Sequence, residues 1–119
     1  KFHRILDDAA LWEAASACNF LVLPSLAEGF GLVITEAMSH GLPVIATRNS
    51  AAPDFVVDGE SGFLMDDVFD QSIGHTVNRA LERKSDWPDL RAAAQASVED
   101  ITWERFRLGI RRLASPDAL

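Results

Sequence analysis

The sequence predicts an α/β fold, one small three-layer domain in which a short parallel sheet of about three strands lies between flanking helices. Three observations predict it. Short apolar runs at 20–23, 44–47 and 63–65 alternate with stretches of helical periodicity, and strands separated by helices imply right-handed crossovers and parallel pairing. The runs lack polar alternation, as strands covered on both faces do. The length of 119 residues fits a single domain, yet three strands fall short of the five or six of a complete doubly wound sheet. Part of a longer protein is therefore expected. The start at Lys1-Phe2-His3-Arg4, which is not Met and resembles the middle of a connection, agrees with this.

Each element has a local reason. Asp7 and Asp8 suit a helix N-terminus, and the alanine-rich stretch 9–17 suits its interior. The apolar run Phe20-Leu21-Val22-Leu23 ends at Pro24, and residues 25–30 form a loop around Gly29. A helix is predicted over 31–40, with Leu32, Val33, Ala37 and Met38 as its apolar face and Gly41 and Pro43 as its stop. Val44-Ile45-Ala46-Thr47 is the second strand. Residues 52–57 make a short helix with Pro53 in its first turn, and Asp58-Gly59-Glu60-Ser61-Gly62 is turn chemistry. Phe63-Leu64-Met65 is the third strand. Amphipathic helices follow over 71–84, from Trp87-Pro88 to about Val98, and over 103–113 behind a Thr102 cap.

Composition excludes several functions. Hydrophobic residues at 48% indicate a packed domain rather than disorder. The net charge of −7 opposes nucleic-acid binding, which needs a basic field. A single cysteine, Cys18, allows no internal disulfide and fits a reducing compartment; it is expected at a buried helix end. The residues from Lys1 to Asp8 do not resemble a signal peptide, so none is expected, and the sequence has no apolar run of about 20 residues. A cytoplasmic location, extending to the inner face of a membrane, is the expectation.

The chemistry is concentrated between Pro24 and Ala46. This stretch joins the carboxyl end of a strand to a helix start, where open α/β sheets bind ligands. The backbone N–H groups of Phe30, Gly31, Leu32 and Val33 should point out of the helix N-terminus and, with the helix dipole, hold phosphate or hydroxyl oxygens. Gly29 and Gly31 leave room for a ligand to approach the backbone. Glu28 precedes this helix and Glu36 lies eight residues on. A carboxylate accepts hydrogen bonds only, so each acid can receive the vicinal hydroxyls of a sugar or a ribose. Glu36, in a largely apolar helix, is expected to be partly buried.

Pro24-Ser25, Glu28-Gly29-Phe30-Gly31, the seven residues between Glu28 and Glu36, Glu36-Ala37-Met38 and Gly41-Leu42-Pro43-Val44-Ile45-Ala46 together resemble the signature of family 4 glycosyltransferases. Downstream, Ser50-Ala51-Ala52-Pro53-Asp54-Phe55-Val56, Asp58-Gly59-Glu60-Ser61-Gly62-Phe63-Leu64 and the pair Trp103 and Phe106 continue the resemblance, which runs from about Asp7 to Leu113. It implies the carboxyl-terminal, donor-binding part of a retaining GT-B-fold enzyme, a partial Rossmann-like domain. It implies that Glu28 contacts the transferred sugar and is the catalytic residue. The amides of Gly29, Phe30, Gly31, Leu32 and Val33 would hold sugar and phosphate, and Glu36 the ribose. It implies a nucleotide-diphosphate sugar as substrate, no metal and no cofactor.

The family's diphosphate-neutralising Arg and Lys and its acceptor site, for a glycan, lipid or small molecule, belong to preceding segments. This chain alone is therefore expected to lack efficient transferase activity, and its exposed sheet edges are expected to favour self-association. Two other functions fit the same residues: a non-catalytic module that binds a sugar nucleotide or glycan, and a phosphosugar epimerase of the same fold.

The other polar residues have plainer explanations. His3, His40 and His75 show no metal spacing, and Asp66, Asp67 and Asp70 suit a helix N-terminus better than a cation. Arg48 is the basic residue near the motif and is expected on the surface. Ser25 is expected to act as a turn residue. Trp103, Phe106, Ile110 and Leu113 recur at helical spacing, and core packing is the expected use of that stripe. The resemblance implies that the last helix crosses back to the other domain, which would leave part of the stripe exposed in this chain, and the arginines around it make membrane contact a further alternative.

Overall fold

A computed structural model describes residues 7–114. Its elements run α1 (Asp8–Ser16), β1 (Leu21–Leu23), α2 (Leu32–Ser39), β2 (Val44–Thr47), α3 (Ala52–Phe55), β3 (Gly62–Met65), α4 (Asp70–Glu82), a 3-10 turn (Lys84–Asp86), α5 (Trp87–Val98) and α6 (Trp103–Leu113). The three strands form one parallel sheet in the order β1-β2-β3. Leu21 lies opposite Val44 and Leu23 opposite Ala46, while Val44 lies opposite Gly62 and Thr47 opposite Met65.

The boundaries follow from local chemistry. The Asp7 carboxylate accepts the Ala10 amide at 2.8 Å and caps α1, satisfying one of the orphan donors of a helix start. Thr102 does the same for α6 through the Arg105 amide, at 3.2 Å. Gly41, with φ of 67°, ends the α2 connection, a conformation that costs a side chain about 1–2 kcal/mol. In the turn before β3, the Asp58 carboxylate takes the Leu64 amide at 2.9 Å and pairs with Arg79 at 3.1 Å. The helix expected over 71–84 is α4 followed by the 3-10 turn.

The sheet separates two apolar clusters. On one face Val44, Ala46 and Leu64 pack with Ile34, Ala37 and Met38 of α2, and Trp12 and Ala15 of α1 lean on the same cluster. On the other, Ile45, Phe63 and Met65 meet Ala80 of α4 and Leu90 of α5, with Ile73 and Val77 partly buried. Alternate strand residues thus face opposite layers, which makes the domain three-layered. Phe63 is fully buried, a contribution of about 2–3 kcal/mol. Helix α5 spans both clusters, since Leu90 joins one and Ala94 and Val98 the other. It lies at the amino ends of the strands, where the Arg91 guanidinium donates to the carbonyls of Gly41 (3.2 Å) and Cys18. The carboxyl ends are left for the site.

Three packing expectations are corrected. Strand β1 is not covered on both faces: Val22 is 43% exposed, because α4 packs over β3 and leaves it bare. Cys18 is exposed, just beyond the end of α1. Helix α6 buries no residue, and Trp103, Phe106, Ile110 and Leu113 are all exposed. Periodicity marks a face as apolar but does not say what covers it. No helix among the described residues is long and apolar enough to cross a membrane.

Candidate functional site

The loops at the carboxyl ends of β1 and β2 meet at the amino end of α2. Gly31 is the residue before the helix and has φ of 66°, in the left-handed region. Its carbonyl takes the Ile34 amide at 2.8 Å. The amides of Phe30, Gly31, Leu32 and Val33 make no hydrogen bond among the described residues. Four consecutive donors thus lie at the positive end of the helix dipole, where an anion or hydroxyl oxygens can be held. The helix starts one residue later than the sequence suggested, with Gly31 as its cap.

Glu28 is held against this spot. A Cβ built on Gly31 would lie 3.2 Å from the Glu28 Cγ and 3.1 Å from the Ile34 Cδ1, so the acid's stem passes directly over the glycine. The Glu28 amide donates to the Asn49 carbonyl at 3.1 Å. Gly29 has open space where a side chain would stand, and the Phe30 ring, half exposed, meets Phe55 edge-on at 5.7 Å.

Glu36 stands elsewhere on the helix. Ile34, Ala37 and Met38 point into the core, and at 3.6 residues per turn Glu36 falls on the opposite side, in line with Leu32. It is exposed rather than partly buried, and its carboxylate has no hydrogen bond or ion pair among the described residues. The two acids thus flank the helix start differently: Glu28 lies over it, and Glu36 about one turn further along the solvent face. A ligand using both would wrap from the amide end onto that face.

Beneath the loop lies a polar network that the sequence did not announce. Buried Thr47 donates its hydroxyl to the Ser25 carbonyl at 2.6 Å. The Ser50 hydroxyl donates to the Thr47 carbonyl at 2.8 Å and accepts the Ala52 amide at 3.1 Å. The Ser25 hydroxyl also approaches a Glu28 carboxylate oxygen at 3.4 Å. The one available signal was a threonine closing an apolar strand.

Arg48 is on the surface as expected, in an ion pair with Asp66 at 2.9 Å. His40 caps α2 and stacks on Trp12 at 4.2 Å between ring centres. His75 is exposed, and His3 lies outside the described residues. Asp67 accepts the Phe69 amide, and Asp70 occupies the first turn of α4. No metal-ligand grouping occurs among the described residues.

The family model described as Glycosyl transferases group 1 matches residues 1–97. The sucrose synthase of Acidithiobacillus caldus is 41% identical over 97 residues, covering 77% of this chain and 12% of that protein. The D-inositol 3-phosphate glycosyltransferase of Streptomyces griseus is 36% identical over 111 residues, 87% of this chain and 22% of that protein. Among solved structures, the sucrose-phosphate synthase of Thermosynechococcus elongatus superposes with a TM-score of 0.83 at 30% identity, over 95% of this chain and 29% of that one. Anabaena HepE in complex with UDP-glucose superposes with a TM-score of 0.72 at 26% identity, over 87% and 29%. The chain thus spans less than a third of each of these relatives.

Proposed function

The chain belongs to the group 1 glycosyl transferases, with the fold of their GT-B carboxyl-terminal half, and from this we propose that it is the donor-binding surface of an enzyme that transfers a sugar from a nucleotide-diphosphate sugar. The observation that carries the proposal is the group of four amides, Phe30 to Val33, that have no hydrogen bond among the described residues and lie at the carboxyl end of the sheet, with Glu28 laid over Gly31. Amides of this kind bind the distal phosphate and sugar hydroxyls without a metal. Likeness to a protein solved with UDP-glucose supports this donor class.

Glu28 orients the transferred sugar by accepting its hydroxyls. Glu36 accepts the ribose hydroxyls, and its carboxylate has no partner among the described residues to give up when it does so. Departure of the diphosphate and attack by the acceptor take place on the same face of the sugar, so configuration is retained. The protein contributes orientation and preorganised dipoles rather than a covalent intermediate. Positive charge for the diphosphate comes from preceding segments, as the family resemblance implies; Arg48 stands on the surface in an exposed ion pair with Asp66.

Calorimetric titration of the intact protein with UDP-glucose, ADP-glucose and GDP-mannose tests the assignment. Hydrogen bonds to a charged group are worth about 1.5–3 kcal/mol, so Glu36→Ala should weaken the preferred donor by about 10- to 100-fold. Glu28→Gln should preserve affinity for the free nucleotide and lose turnover. Equal donor affinity in wild type and Glu36→Ala removes Glu36 from the ribose role.

A further inference from the structure

We infer that Thr47 is a positioning residue for Glu28: its buried hydroxyl, together with the Asn49 carbonyl, pins the loop that carries the sugar-facing carboxylate to the end of β2. The inference rests on the donor-site proposal for its functional meaning, while its structural content stands apart from it.

Thr47 ends β2 and is fully buried. A hydroxyl in such a place is unfavourable unless bonded, and valine would fill the same space in a strand without that penalty. The Thr47 hydroxyl is bonded, at 2.6 Å, to the carbonyl of Ser25. Three residues on, the Glu28 amide is bonded to the Asn49 carbonyl at 3.1 Å. Ser50 closes the turn after β2 with its bonds to Thr47 and Ala52, and so aims the Asn49 carbonyl at the loop. Between the two pinned points only Leu26 and Ala27 intervene, both exposed.

The loop backbone is therefore tied at two points to the end of β2 and the turn after it, in addition to the contact of the Ser25 hydroxyl with the Glu28 carboxylate at 3.4 Å. Removal of the Thr47 hydroxyl leaves the Ser25 carbonyl without its partner and frees one end of the segment. A displacement of about 1 Å at a reacting group costs up to about 100-fold in rate. Glu28 addresses the sugar and not the nucleotide, so the loss should appear in turnover.

The test compares the intact wild-type protein with Thr47→Val, Thr47→Ser, Ser50→Ala and Val98→Ala, the last a core truncation in α5 that controls for general loss of stability. Amide hydrogen exchange is followed at Glu28, Ile45 and Phe63 without ligand. A lost bond of typical strength should speed exchange at Glu28 about fivefold in Thr47→Val, leave Ile45 and Phe63 unchanged, and be reversed in Thr47→Ser. Ser50→Ala should give a smaller change of the same kind should Thr47→Val fold poorly. With UDP-glucose or ADP-glucose, kcat should fall about tenfold in Thr47→Val with KM and UDP or ADP affinity within twofold. Unchanged exchange at Glu28, or equal acceleration at all three sites as in Val98→Ala, overturns the inference. A wild-type protein that binds no sugar nucleotide overturns the donor proposal instead, while exchange at Glu28 still decides the role of Thr47.

Discussion

Substituting Gly31 by alanine tests the site at its narrowest point. Gly31 has φ of 66°, where a residue with a Cβ is disfavoured by about 1–2 kcal/mol. The alanine also restricts the unfolded chain, which offsets about 0.4–1 kcal/mol. The new methyl lands 3.1 Å from the Ile34 Cδ1 and 3.2 Å from the Glu28 Cγ, closer than comfortable packing, so one of them must shift by a few tenths of an ångström. Ile34 is fully buried in the main core, and Glu28 is exposed; the acid should give way. The net cost is about 1 kcal/mol, near 4 °C in Tm for a domain of this size. The functional loss should be larger than that stability loss suggests, since the methyl occupies the approach proposed for the ligand and moves Glu28. Urea denaturation and donor titration on the same variant separate the two effects. Gly29→Ala is the comparison, as nothing lies within 4 Å of its added Cβ. A Gly31→Ala protein with wild-type stability and wild-type donor affinity would refute both the backbone argument and the placement of the ligand.

Two further predictions concern stability. Gly62→Ala puts a Cβ 2.5 Å from the Val44 carbonyl oxygen in the centre of the sheet; backbone cannot yield there as a side chain can, so a loss of about 3 kcal/mol or more is expected in urea denaturation, and a loss below 1 kcal/mol would contradict the β2–β3 register. The Arg83 side chain donates to Asp86 at 2.9 Å and Ser85 adds a second bond, which together hold the Asp86 carboxyl below its ordinary value of 3.8. A depressed folded pKa means stability that is present above about pH 4 and is lost as pH falls through the folded value; Asp86→Asn should flatten that acid limb of a pH-dependent melting series, and an unaltered limb would exclude this pair as a contributor.

Much of the molecule is legible along the chain because it depends on neighbours a few residues apart. The caps at Asp7 and Thr102, the Gly41 stop and the glycine-lined start of α2 concern contacts within about four residues, the three strands are short continuous apolar runs, and each falls within a residue or so of where the sequence sets it. The pairing of the motif with a helix N-terminus is likewise local, so the free amides beside Glu28 could be expected from the strand-to-helix junction with its Gly29-Phe30-Gly31 sequence. Glu36 is the instructive exception: its apolar neighbours suggested burial, but Ala37 and Met38 take the inward side of α2 and the helix turns Glu36 outward.

What only the tertiary structure decided is which surfaces are covered and which distant atoms meet. Thr47 and Ser25 are 22 residues apart and Arg91 and Cys18 are 73 apart, separations at which periodicity carries no signal. Val22, Cys18 and the stripe Trp103, Phe106, Ile110 and Leu113 are apolar or small in sequence and exposed in the fold. Hydrophobic pattern states a preference to be buried; burial itself requires a second surface, and its position is a property of the packed chain rather than of any one segment.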